Sequence, residues 1–247
     1  MHVWGRINRV ALDPYKENVV GIHPILGEGD PFKLLECLID CKLTMTGDVD
    51  KVLSQVRPKI RAIERTQAHY NVKELISQFK THVWSIMEVY NGGIFPSSNY
   101  LLEKFDLAQR HFLERIGVDE STAFIDHNFA PPSLRRDIGI LGLLQKRVLG
   151  ISHPVFQKLL PFHADVFGSL RPGEHNRQLY GHILDVRLQH SLHSRSVFGI
   201  VYVYNGLPQA VVDCASVSSF QTCLTAMARK RCRDGDPNWM HVFSSRV

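Results

Sequence analysis

The chain has 247 residues, 44% hydrophobic and 21% charged, enough to bury a sizeable core and too ordinary in composition for a disordered, collagenous or disulfide-framework protein. Lys and Arg number 29 against 24 Asp and Glu, so the formal charge is +5, which permits nucleic-acid binding without requiring it. The opening MHVWGRINRV lacks the apolar core of a secretory signal, and no run of about 18 apolar residues occurs; reduced thiols in an intracellular compartment, nucleus or cytoplasm, are expected.

Along the first forty residues the pattern is short and extended. Trp4 to Arg9 reads as the end of a helix, and Val10 to Leu12 and Val19 to Ile22 as strands around a turn at Asp13-Pro14. A loop follows at Gly27 to Pro31, then an apolar, strand-like stretch from Phe32 to Leu43 with a turn near Asp40.

Helical periodicity takes over next. Val49, Leu53, Val56, Ile60 and Ile63 recur at steps of about 3.6, with Thr46 or Asp48 placed to cap and Pro58 expected to kink or break the helix. Val72, Leu75, Phe79, Val83, Ile86 and Tyr90 predict a second helix ended by Gly92-Gly93. A third runs from about Ser98, with Leu101, Phe105, Ala108, Phe112 and Ile116 on one face, and stops at Gly117. Ala130-Pro-Pro-Ser133 breaks the chain before a fourth helix, Leu134 to Leu149. Pro154 to Phe162 reads as a short helix and Gly168 to Gln178 as a loop; Ser196 to Tyr204 suits strand or helix equally. Asp213 or Ser216 caps a last helix to about Lys230, and the tail beyond is expected to be frayed or disordered.

The positive charge is concentrated. Between Lys51 and Lys80 stand seven basic side chains and two acidic ones, an excess equal to that of the whole chain. Arg57, Arg61 and Arg65, spaced by four, form one flank of the first helix. A solvated helix face is the plain alternative for such a run. Arg229, Lys230, Arg231 and Arg233 make a smaller cluster.

Several chemistries find no support. Cys37 and Cys41 have no second cysteine pair at zinc-ligand spacing. There is no phosphate-binding glycine loop, no nucleophile elbow and no close acidic pair on an apolar strand to hold two metal ions. The thirteen histidines are scattered; His190 and His193 leave a metal or acid/base enzyme as a minor alternative.

Five stretches, in order, resemble one family. Trp4-Gly-Arg-Ile-Asn8 with Leu12-Asp-Pro-Tyr-Lys16-Glu17 is similar to the segment after the active-site strand of reverse transcriptases of non-LTR (LINE-type) retrotransposons. Phe32-Lys-Leu-Leu-Glu-Cys-Leu-Ile-Asp40 resembles the primer-grip hairpin, with Glu36 where the family has Gly. Phe79-Lys80 to Val83-Trp84, then Leu102 to Leu113, resemble thumb helices, and Leu134-Arg135-Arg136-Asp137 the helix that follows. The most specific match is Val203-Tyr204-Asn205-Gly206-Leu207-Pro208 with Val211 to Phe220, where Tyr204 replaces the family's Trp.

The resemblance implies a mainly α fold with short N-terminal β hairpins: a palm remnant and primer grip over 1–45, a thumb-like bundle over 46–118, a further helical region over 119–232 and a tail over 233–247. It implies that the catalytic carboxylates precede Met1, so that this chain performs no nucleotide transfer; the magnesium of an intact polymerase would have no ligands, and no cofactor is expected. What remains is weak, sequence-independent binding to RNA–DNA or DNA duplex, carried by Arg57, Arg61 and Arg65, with Lys51, Lys59 and Lys80 secondary. Lys16 stands where a remnant proton donor would sit, or is a plain turn lysine. A helical protein-interaction module, or a relic of a mobile element, is the alternative.

Overall fold

In a computed structural model the chain is mainly helical. The structure describes residues 32–34, 37–39, 44–89, 91–167, 175–181 and 191–246. Trp4 to Arg9, both strands expected before residue 23, and Lys16 lie outside them. Two three-residue strands, β1 (Phe32–Leu34) and β2 (Cys37–Ile39), pair antiparallel with Phe32 opposite Ile39.

The first long helix, α1 (Thr46–Arg65), runs through Pro58 without ending there. The proline faces solvent, and the Ser54 carbonyl it leaves without an N–H partner belongs to an exposed residue, where water can serve instead. Neither predicted cap is used: Met45, in the left-handed region at φ 57°, precedes the helix, and Asp48 is buried in its first turn.

Asn71 and Glu74 form a reciprocal capping box that starts α2 (Val72–Phe79). The chain then widens into one π-helical stretch, Lys80–Trp84, before α3 (Ser85–Val89). Gly92 and Gly93 are themselves helical, inside the four-residue α4 (Asn91–Ile94), which ends one residue after them. The third predicted helix is α5 (Asn99–Ile116), closed by Gly117 at φ 72°. A helix that periodicity did not reveal follows: α6 (Glu120–His127), whose cap Asp119 accepts from the Thr122 N–H at 2.9 Å.

Then come α7 (Pro132–Val148), the short α8 (Pro154–Leu159) and α9 (His163–Phe167), and α10 (Ser191–Ser194). Most of the predicted loop Gly168 to Gln178 lies outside the described residues. The ambiguous apolar stretch is a helix, α11 (Val197–Asn205), and leads through α12 (Gln209–Val212) to α13 (Val217–Arg233). Ser216, not Asp213, caps α13: its Oγ accepts from the Ser219 N–H at 3.1 Å. The tail after Arg233 is not frayed. It forms a 3-10 turn, Trp239–His241, and buries Trp239 and Phe243.

Two apolar clusters hold these helices. One joins α1, α2, the π stretch, α3 and α5, with Phe79, Phe105, Phe112 and Phe129 at its centre. The other packs α7 against α11, α13 and the tail, around Leu134, Leu141, Leu144, Tyr204 and Phe220. They abut at α6, where Ala123 belongs to the first and Phe124 to the second. Gly142 faces α13: a Cβ there would meet the movable end of the Gln221 side chain at 2.5 Å and Val217 Cγ1 at 3.3 Å. No described helix is long and apolar enough to cross a membrane.

The ending that resembles the family signature is, in this fold, a packing unit. Asn205 Oδ1 accepts from the Leu179 N–H at 2.9 Å while its Nδ2 donates to the Leu179 carbonyl at 2.8 Å, copying a strand partner. Tyr204, Leu207, Val211, Val212 and Phe220 are buried.

Candidate nucleic-acid interface

The basic window is set on the structure by α1. Its Val49, Val52, Leu53, Val56, Ile60 and Ile63 are buried against α2, α3 and α5, which fixes the opposite arc toward solvent. At 100° per residue, Arg57, Arg61 and Arg65 fall within about 80° of that arc and span about 12 Å of axis, the rise of roughly three base pairs. All three are exposed.

Among the described residues no ion pair holds Arg57, Lys59, Arg61 or Arg65. Cations on neighbouring helices are engaged: Lys104 meets Asp50 at 3.2 Å and Arg110 meets Glu120 at 3.2 Å. The arginine row therefore keeps its full hydrogen-bonding capacity for an outside anion. Glu64, half-buried, lies between the row and the buried stripe.

The secondary lysines divide. Lys51 is half-buried near the start of α1, on the side of the arginines. Lys59 is exposed but falls about 160° from Arg57, on the other flank of the stripe. Lys80 is turned inward: its Nζ donates to the His127 carbonyl at 2.5 Å and stands 5.6 Å from the Trp84 ring centre. Burial and the nearby Arg135 guanidinium hold its pKa below the ordinary lysine value. Lys80 is thus a brace between the π stretch and α6, and the expectation that it contacts a duplex does not fit its position. Lys16 lies outside the described residues.

Exposed Tyr70 and Lys73, at the α1–α2 junction beyond Arg65, extend the polar and cationic surface. The charge of Lys73 was visible in the window, but periodicity along α1 does not say where the turn aims the next helix.

The brace at Lys80 belongs to a larger node. The Trp84 indole N–H donates to Gln109 Oε1 at 2.9 Å, and Gln109 Nε2 donates to the Ala130 carbonyl at 3.1 Å. Arg135 lies 3.7 Å over the Trp84 ring and pairs with Glu88. The Phe79-to-Trp84 stretch, on which α1 packs, is thereby tied to α5 and α7.

Two of the four cations of the second basic cluster are engaged. Arg229 stacks on Phe124 with its guanidinium 5.4 Å from the ring centre and donates to Asn128, and Arg231 pairs with Asp236 at 3.2 Å. No group of three or more His, Cys, Asp or Glu placed to hold a metal ion occurs among the described residues. No family model, curated protein or solved structure matches the chain.

Proposed function

We propose that this chain holds the template–primer duplex in a reverse-transcriptase-like polymerase of the non-LTR retrotransposon class, with α1 lying along the sugar–phosphate backbone. The observation that carries the reading is the row of Arg57, Arg61 and Arg65: exposed, spaced by one turn, and without an ion pair among the described residues. Guanidinium groups so arranged bind phosphate oxygens bidentately and carry no base information, so binding is sequence-independent and salt-sensitive. The ordered motif resemblance supplies the class of partner; the helix face supplies the chemistry.

Fluorescence anisotropy with labelled RNA–DNA and DNA duplexes across a salt series tests it. Replacing all three arginines by Gln should weaken binding and flatten the log–log salt slope on DNA duplex by about 2.7, three counterions fewer. An unchanged affinity and slope would remove α1 as the interface.

A further inference from the structure

We propose that Cys214 and Cys223 are a redox-responsive dithiol that closes to a disulfide when a hydroperoxide oxidises it. Their sulfurs lie 3.7 Å apart in the folded chain, and both residues are half-buried, so each is reachable from solvent while held in contact. A disulfide requires about 2.05 Å, so the two sulfurs, already in contact, must draw closer still to bond. Cys232 is buried, and no sulfur contact to it occurs among the described residues.

The setting holds the pair in place. Cys214 follows α12, and its carbonyl accepts from Gln145 Nε2 at 3.3 Å; the same amide nitrogen donates to the Val212 carbonyl at 3.0 Å. Cys223 sits in the second turn of α13, whose start is fixed by the Ser216–Ser219 box. The two thiols are therefore presented by two anchored backbone segments. Contact with Cys214, together with burial, raises the pKa of the Cys223 thiol.

In the first step the Cys214 thiolate attacks the peroxide; an S–O bond forms, the O–O bond breaks, and the departing hydroxide takes a proton to become water. In the second, the Cys223 sulfur attacks the resulting sulfenic acid; the S–S bond forms, the S–O bond breaks, and the hydroxyl leaves as water with the Cys223 proton. Two thiols and one hydrogen peroxide give one disulfide and two waters, with two electrons passing from sulfur to the peroxide. The product ties the end of α12 to α13 and constrains the unfolded chain over the short loop between them.

The full chain treated with hydrogen peroxide and digested with trypsin decides this, because Cys214 and Cys223 share the single tryptic peptide 196–229 and Cys232 does not. That peptide should become about 2 Da lighter for the two hydrogens lost, revert with a thiol reductant, and be accompanied by a rise in Tm of about 5 °C. The Cys214→Ser chain should show neither change, and Cys223→Ser should leave a sulfenic acid at Cys214 that a dimedone probe traps. If no linked peptide forms at any dose, whether the thiols stay reduced or go on to sulfinic acids, the proposal is overturned. It is equally overturned if linkage is as fast in urea as in the native chain.

Discussion

The Tyr204 hydroxyl donates a 2.7 Å hydrogen bond to Gln145 Oε1, and neither side chain has measurable exposure. Gln145 spends its amide on the carbonyls of Val212 and Cys214, so one side chain ties α7 to α11 and to the turn before α13. Burial holds the tyrosine above its ordinary pKa, and it stays a neutral donor. Tyr204→Phe strands a buried acceptor and should cost about 1–3 kcal/mol, read as a lower urea midpoint at unchanged slope.

Gln109 has the same place in the other cluster. Gln109→Leu leaves the Trp84 N–H and the Ala130 carbonyl unpaired and should cost about 2–4 kcal/mol in chemical denaturation. Adding Trp84→Phe removes one of the stranded groups, so the double variant should lose less than the sum of the two single losses. Additive losses would mean that the two residues do not act as a pair.

Asp137 sets a pH dependence. Burial pushes its carboxyl up to about 7, against the attraction of Arg136 and Arg246, while the unfolded chain titrates near 3.8. Between those values the folded state binds more protons than the unfolded one. Stability from this group is therefore present below the unfolded pKa and lost as pH rises toward about 7. Tm should fall over that window relative to an Asp137→Asn chain, which lacks the slope and is the more stable of the two above pH 7. A parallel pH profile for the two chains would refute the assignment.

The tail is structural. Trp239 stacks on Phe124 with ring centres 5.0 Å apart and planes 5° from parallel, and Arg246 donates to the carbonyls of Phe95, Ser97 and Arg195. Burial and the nearby Arg136 bring the Arg246 guanidinium down to about 10, still charged at neutral pH. Trp239→Ala should cost about 3–5 kcal/mol, measured by thermal or urea unfolding. A chain that loses less than 1 kcal/mol would show that the tail does not contribute to the core.

The helices that sequence made legible are those with a sustained apolar stripe. In α1 every residue that recurs at helical spacing is buried, and in α5 Leu101, Phe105 and Phe112 are buried while Ala108 and Ile116 are half-buried, because one helix face can reach the core and the other cannot. The stripe of α1 also determined that Arg57, Arg61 and Arg65 face away from the core together. Pro58 does not end α1, and Gly92 and Gly93 are themselves helical beside α7, in a turn that ends one residue later at Ile94.

Tertiary contacts decided the rest. Lys80 reads as one more cation of the basic window until the π stretch aims it at the His127 carbonyl, 47 residues away. The tail has no periodicity to betray it; Trp239 and Arg246 order it only because Phe124 and the Phe95 carbonyl, the latter 151 residues from Arg246, stand opposite them. The 3.7 Å approach of Cys214 and Cys223 likewise depends on how the turn after α12 meets α13, which the nine-residue spacing alone does not encode. Sequence set which faces are apolar and where the charge is dense, since both are local properties. Which cations remain open to an anion depends on partners distant along the chain, and only the packed fold chose them.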